Sequence, residues 1–335
     1  MRTVFMGSPE FAVPCLVALH QGSEVVAVVS QPDRPAGRGL SLLPPAVKVK
    51  AEELGLPVLQ PTALRPAKSS FVAELAALRP ELVVVVAYGR ILPPEALAVP
   101  PRGCWNVHAS LLPRYRGAAP IQWALIRGET VTGVTLMEMD AGMDTGPLLL
   151  RRELAITAED TSGSLHHKLS QLGASLLAEG LAQLLSGQLP AAVPQDHELA
   201  TKAPLLDKEH GRADFTRRAD ELVGQLRGVD PWPGGFTTLP RELFPELVRD
   251  REKGGDEPVV LKLFTARVSS GHGQPGEVLG VDRDGLHVAC GQGAVALAEL
   301  QLPGRKRLVA QALLAGFKLP RGTILGGGQR NPLLD

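Results

Sequence analysis

Residues 104–117 read Cys-Trp-Asn-Val-His-Ala-Ser-Leu-Leu-Pro-Arg-Tyr-Arg-Gly, an apolar strand that exits through an amide and an imidazole. A strand alternates its side chains, so Asn106 and His108 share one face while Val107 packs the other. Upstream, Val83 to Val86 is an unbroken apolar run, the composition of a strand buried on both faces of a parallel sheet. Thr3 to Met6 and Val25 to Val29 also read as strands. Between them Ser8 suits an N-cap, Pro9 the first helical position, and Phe11, Leu16 and Leu19 an apolar helical stripe. Helices are expected near Val47 to Leu54 and Phe71 to Leu78. Alternating strands and helices predict an α/β domain with a mainly parallel, Rossmann-like sheet. Gly7-Ser8-Pro9 lacks the Gly-x-Gly-x-x-Gly spacing of a dinucleotide loop and reads as a turn that starts a helix.

The second half is patterned differently. Thr161 and Ser162 open a long helix with leucines from Leu165 to Leu185, ending at Gly187, which is expected to pack on its own sheet and close the first domain. Gln188 to Thr201, rich in proline and alanine, reads as a linker. A short helix at Ala219 to Leu226 precedes strands at Val259 to Ala266, Gly276 to Val281, Gly285 to Cys290 and Ala294 to Leu300, the pattern of a small β-barrel. The expected division is 1–189, a linker at 190–207, and a smaller domain at 208–330. A chain of 335 residues also exceeds the size at which one core stops growing. The charged stretch 239–258 reads as a surface hairpin.

Lys and Arg total 35 against 35 Asp and Glu, which argues against a globally basic nucleic-acid binder. The global balance hides a local excess. Arg34, Arg38, Lys48 and Lys50 fall in one proline- and glycine-rich segment where Asp33 is the only acid, a loop able to meet phosphates. Residues 210–335 carry 17 basic and 15 acidic residues, with Arg305-Lys306-Arg307 the obvious cluster. Cys15, Cys104 and Cys290 lie far apart without Cys-x-x-Cys spacing, so neither a disulfide framework nor a zinc site is expected. The start of the chain reads as a strand rather than an export signal, and no apolar stretch is long enough to span a bilayer. A cytoplasmic chain without membrane contact is the expectation.

The chemistry gathers at three residues. After an alternating run from Val131 to Met139, the loop Met139-Asp140-Ala141-Gly142-Met143-Asp144-Thr145-Gly146 offers Asp144 on a glycine-flanked turn. Asn106 can hold a developing oxyanion, His108 can move a proton, and a nearby carboxylate favours the imidazolium. With no serine or cysteine nucleophile beside them, direct acyl transfer through a tetrahedral intermediate is the expected reaction. A lone histidine leaving a strand is more often structural; Asn106, Ser110 to Pro113 and Asp144 are what single out His108.

The Asn-x-His pair, the following Ser-Leu-Leu-Pro-x-x-Arg-Gly and the later Asp144 resemble the folate-dependent formyltransferase family. Gln31-Pro32-Asp33-Arg34-Pro35-Ala36-Gly37-Arg38-Gly39 and Arg116-Gly117-Ala118-Ala119-Pro120-Ile121-Gln122 are similar to those members that formylate the amino group of initiator methionyl-tRNA. The resemblance runs from Arg2 to about Leu325. It implies a catalytic domain and a C-terminal OB-like, tRNA-holding barrel, with Pro231-Trp232-Pro233-Gly234-Gly235 at the junction. It implies 10-formyltetrahydrofolate as formyl donor, with no metal needed because the leaving group is an activated aryl amide. Implied folate contacts are Ser110, Leu111, Leu112 and Pro113, then Arg90, Ile91 and Leu92 after the Val83 strand, and Met143. Implied tRNA contacts are Arg34, Arg38, Lys48, Arg305, Lys306 and Arg307, on a chain expected to be a monomer. Relatives often carry lysines after Gly-Arg-Gly, whereas Leu40 and Ser41 stand here, so Arg38 is left to carry more of that contact. The competing reading keeps the same three residues and changes the acceptor to a small amine, a ribonucleotide or an amino sugar. A non-enzymatic RNA-binding module and a hydrolase releasing formate are the further alternatives.

Overall fold

A computed structural model describes residues 1–36, 41–65, 67, 69–240, 259–316 and 319–334. Two compact units emerge, one formed by Met1–Pro120, Val131–Ile156 and Ser164–Pro204, the other by Ile121–Thr130, Thr157–Gly163 and Leu205–Asp335. Along the first half the elements are β1 (Arg2–Gly7), α1 (Val13–Gly22), β2 (Glu24–Val29), the hairpin β3 (Arg34–Ala36) and β4 (Ser41–Leu43), α2 (Ala46–Glu53), β5 (Val58–Leu59), α3 (Phe71–Ala77), β6 (Leu82–Val86) and α4 (Pro94–Leu97). They continue through β7 (Cys104–His108), α5 (Pro120–Ile126), β8 (Val131–Glu138), β9 (Leu148–Ala155) and α6 (Ser162–Leu185).

The first unit holds a seven-stranded sheet ordered β5-β2-β1-β6-β7-β8-β9. Its first five members run parallel, β8 pairs antiparallel with β7, and β9 pairs antiparallel with β8, so the expected mainly parallel α/β sheet is present. β9 has no counterpart in the sequence reading. Its Arg151-Arg152-Glu153 centre is exposed, as suits a charged edge strand that resists pairing with another chain.

On one face Val4, Met6, Val83, Val85 and Cys104 pack with Phe71 and Leu75 of α3. Each such fully buried side chain contributes about 1.5–3 kcal/mol. On the other face α6 lies directly on the strands. A Cβ at Gly173 would stand 2.9 Å from Val107 Cγ1, and one at Gly180 2.5 Å from Leu136 Cδ2. These two glycines let the helix approach. Leu165, Leu169, Leu176, Leu177 and Leu181 are buried on it, which is the packing expected of the leucine stripe.

One local expectation fails. Ser8 does not cap a helix: a 3-10 turn at Glu10–Ala12 intervenes, its N-cap is Pro9, and no side chain caps it. Ser8 Oγ instead accepts the Gln31 amide at 3.0 Å, tying the end of β1 to the end of β2.

Residues 190–204, within the stretch expected to be a linker, group with the first unit, and 205–207 with the second. Backbone bonds fasten the former: Arg116 donates to the Thr201 carbonyl at 2.8 Å, Ala203 to that of Arg116 at 2.7 Å, and Ala119 to that of Ala203 at 3.1 Å. Proline and alanine content signalled a tether here, but such residues also suit an extended strip bound along a loop.

The second unit contains α7 (Ala219–Gly228), β10 (Gly235–Leu239), β11 (Val259–Ser269), β12 (Val278–Asp282), β13 (Gly285–Ala289), β14 (Ala294–Gln301), β15 (Leu308–Val309) and α8 (Ala310–Ala315). Its sheet is antiparallel, ordered β10-β11-β14-β13-β12 with β15 beside β14. Leu222 and Leu226 of α7 join Leu261, Leu263 and Leu297 in one core. Of the charged stretch 239–258, Leu239 ends β10, and 241–258 lie outside the described residues.

Candidate active site

β7 delivers Asn106 and His108 to the same face, and His108 is buried at the strand's last position. Its Nε2 lies 2.9 Å from the Tyr115 carbonyl oxygen. A carbonyl can only accept, so Nε2 carries the proton of this contact. Opposite Nδ1, at 3.7 Å, stands Asp144 Oδ1. Asp144 thus meets His108, with Nδ1 turned to the carboxylate, on the strand face that Asn106 shares.

The meeting requires a return of the chain. β8 is antiparallel to β7 and leaves beside Trp105, since Glu138 pairs with Trp105 while Thr135 pairs with His108. The loop that follows must come back along β7 for Asp144 to reach His108. It arrives with Asp144 in the left-handed region at φ 54°, sparsely populated by residues with a side chain. Gly117 donates its amide to Asp144 Oδ2 at 2.8 Å. From the neighbouring strip, Gln195 Nε2 donates to the Asp144 carbonyl at 2.9 Å and to the Gly146 carbonyl at 2.7 Å.

The loop after β7 is held as firmly. Ser110 Oγ donates to the Arg114 carbonyl at 2.6 Å, and the buried Thr135 hydroxyl donates to the Ser110 carbonyl at 2.7 Å while accepting from the Leu112 amide at 3.1 Å. By contrast, the Oδ1 of Asn106 is buried with no hydrogen-bond partner among the described residues. So is the Tyr88 hydroxyl, whose burial pushes the phenol above its ordinary range. Buried polar atoms without partners are uncommon, and at these two positions the protein itself supplies none among the described residues.

A cleft of about 430 Å³ opens at the exits of β1, β2 and β6, lined by Ser8, Pro9, Gln31, Pro45, Tyr88 and Gly89 among others. β1 stands between β2 and β6, where the strand order reverses, and crevices of open α/β sheets form at such points.

Residues 1–181 match the model of the formyl transferase family, and residues 205–318 that of the formyl transferase C-terminal domain. The chain belongs to the formyl transferase family. Among its relatives are the methionyl-tRNA formyltransferases of Citrifermentans bemidjiense, 51% identical over 97% of this chain and 96% of that one, and of Geobacter sulfurreducens, 49% identical over 97% of each. Among solved structures, the N-formyltransferase of Helicobacter canadensis in complex with folinic acid and dTDP-3-aminofucose superposes with TM-score 0.63 at 16% identity, over 88% of this chain and 98% of that one. That likeness concerns the fold.

Within this formyl transferase the remaining sequence-derived positions separate into groups. Leu92 and Leu112 are buried in the core and offer only backbone to a ligand, whereas Ile91 and Met143 are 73% and 60% exposed. Arg90 donates to the carbonyls of Pro61 and Thr62, at 3.1 and 2.9 Å. Leu111 packs over Gly133, and Pro113 is partly exposed. Lys48 is engaged by Asp33, at 3.0 and 2.8 Å, with Gln60 donating to the same carboxylate at 2.7 Å. Those hydrogen bonds, from Gln60 foremost and then Lys48, hold the Asp33 carboxyl below its usual range. Arg34 is exposed in β3, and Arg38 lies outside the described residues. Arg305, Lys306 and Arg307 are exposed in the second unit, although Arg307 pairs with Glu299 and stacks 4.0 Å from the Phe264 ring centroid. Sequence reasoning missed Gln195 and Thr135. The first sat in apparent linker, and the second was one polar residue in an alternating strand.

Proposed function

We propose that the protein transfers the formyl group of 10-formyltetrahydrofolate to the α-amino group of initiator methionyl-tRNA, with Asn106, His108 and Asp144 as the reacting site. The observation that carries the reaction class is the approach of Asp144 to Nδ1 of His108, on the strand face shared with Asn106. The acceptor is supported by likeness at about half identity, over nearly the whole chain, to proteins named for it. The donor is supported by the family and by folinic acid in the Helicobacter canadensis structure.

The chemistry then follows from the groups. The neutral α-amine attacks the formyl carbon, forming the new C–N bond and placing negative charge on the formyl oxygen. Free α-amines titrate near ~7.7–8.0, so this nitrogen needs little help to be neutral. The Asn106 amide and the His108 Nδ1–H supply donors to the oxyanion, and one such donor is worth about 2.7–4 kcal/mol in other acyl transfers. Asp144, facing Nδ1 at 3.7 Å, holds the imidazole ring in the orientation that presents this donor. Collapse breaks the bond to folate N10, and the proton lost by the attacking nitrogen ends on N10. Tetrahydrofolate and the formylated aminoacyl ester are the products.

We assign the folate donor to the side of Ser110 to Pro113, the Arg90 to Leu92 loop and Met143. The exposure of Ile91 and Met143 supports this, since both are free to close on an apolar ring. The acceptor end is assigned to the cleft beside Ser8 and Pro9, and its phosphates to Arg34, Lys48 and Arg38 and to Arg305, Lys306 and Arg307. The test is formyl transfer to charged initiator methionyl-tRNA beside elongator methionyl-tRNA and a panel of small amines. Selective formylation of the initiator is expected. Turnover confined to a small amine would keep the reaction class and overturn the acceptor.

A further inference from the structure

Gln195 occupies a position that the chemistry above does not use. Its side chain is buried, 6% exposed, on the strip that follows α6. All of its hydrogen-bonding capacity is directed at the return loop and the segment facing it. Nε2 spends both protons on the loop, one on the carbonyl of Asp144 and one on that of Gly146. Oε1 accepts from Arg116 Nε at 3.1 Å and from its terminal nitrogen at 2.7 Å. Arg116 directly precedes Gly117, whose amide holds Asp144 Oδ2. One amide thus grips the backbone of Asp144 and the segment that orients its carboxylate.

Such a grip answers a specific need. Asp144 has a left-handed backbone, costly for a side-chain residue, on a loop that must fold back along β7. An external hold on the loop offsets that cost and keeps the 3.7 Å approach to His108. We infer that Gln195 is a positioning residue for formyl transfer, fixing the Asp144 carboxylate against His108 Nδ1 through the Asp144 and Gly146 carbonyls and through Arg116. The inference rests on the reaction proposed above.

Two readouts test it, one of them independent of turnover. Gln195→Met keeps length and removes the amide; Gln195→Glu keeps an acceptor for Arg116 but has no proton for either carbonyl. If the Met variant fails to fold, the Glu variant carries both arms. In substrate-free full-length protein, amide exchange at Gly117, followed by NMR, should accelerate at least about tenfold while the β6 and β7 amides keep their protection. In the transfer assay kcat should fall about 100-fold, the scale of a displaced catalytic group, with the KM for folate within about twofold. The same substitution in an Asp144→Asn background should cost less than about threefold, because Gln195 acts through that carboxylate. A general structural role would cost the same in both backgrounds, and that equality overturns the inference, as does unchanged Gly117 exchange. A parent protein that does not formylate methionyl-tRNA, while Gly117 exchange responds as expected, sinks the proposed reaction and leaves the positioning of Asp144 standing.

Discussion

Asp144 and Asn106 both belong with His108, yet they are held in opposite ways. Every polar contact of Asp144 is supplied by the protein: Gly117 at the carboxylate, Gln195 at the carbonyl, and the imidazole facing it. Asn106 has a buried Oδ1 with no partner among the described residues. The difference separates two tasks. A group that holds a proton donor in place must be set before substrate arrives, whereas in the proposed reaction the amide of Asn106 keeps its acceptor Oδ1 for the attacking amine and its Nδ2–H for the oxyanion.

The comparison can be broken at several points. His108→Ala should have the largest effect, a loss of about 10²–10⁴ in kcat with the fold intact by circular dichroism; turnover near the parent level would remove His108 from the chemistry. Asn106→Ala should cost about 10²–10³ in kcat and little stability, because no internal bond is lost. A marked fall in melting temperature would mean that Asn106 is structural after all. Thr135→Val tests the protein-held side: it orphans the Ser110 carbonyl and the Leu112 amide and should cost about 1–3 kcal/mol of stability. An unchanged urea midpoint would show that the loop does not depend on this hydroxyl.

Smaller effects are expected at the surface. Arg305→Ala and Lys306→Ala should each lower the slope of log affinity for methionyl-tRNA against log salt by about 1. Lys48→Ala should change that slope less, since Asp33 already neutralises the ammonium; equal slopes would mean that Asp33 releases Lys48 to the RNA. No reaction at all is expected of the cysteines. Burial pushes the thiols of Cys15, Cys104 and Cys290 up to about 12, so at pH 8 the folded protein holds almost no thiolate and iodoacetamide labelling should await unfolding. The same sign makes stability fall as pH rises from about 8.5 toward 12, because only the unfolded chain ionises there. Rapid labelling of native protein would contradict that burial.

Much of this was legible along the chain because it rests on short-range pattern. The strands at Val83 to Val86 and Asn106, the helix from Ser162 and the four strands after Val259 all announce themselves by apolar period, and each is found within a few residues of its expected bounds. Asn106, His108 and Asp144 are legible because two lie on one strand and the third on a glycine-flanked turn. What stayed hidden depends on partners distant in sequence. Ser8 had the right identity for a cap but a better bond to Gln31, 23 residues on. β9 was masked by its charges, which belong to an edge. Gln195 lies 51 residues from Asp144, in a stretch whose composition describes a tether equally well.

That strip has a practical corollary for anyone recombining this family. A cut at residue 189 would leave Asn106, His108 and Asp144 in one piece, yet it would carry Gln195 and Thr201 away with the other, together with the bonds they make to Asp144, Gly146, Tyr115 and Arg116. A chimaera should be spliced after Pro204, where the last segment of the first unit ends, with Ile121–Thr130 and Thr157–Gly163 matched to the parent of the second unit, to which they belong. The seam of modular exchange thus lies nineteen residues beyond the last long helix, and hybrids that respect it should inherit a working catalytic half from a single parent.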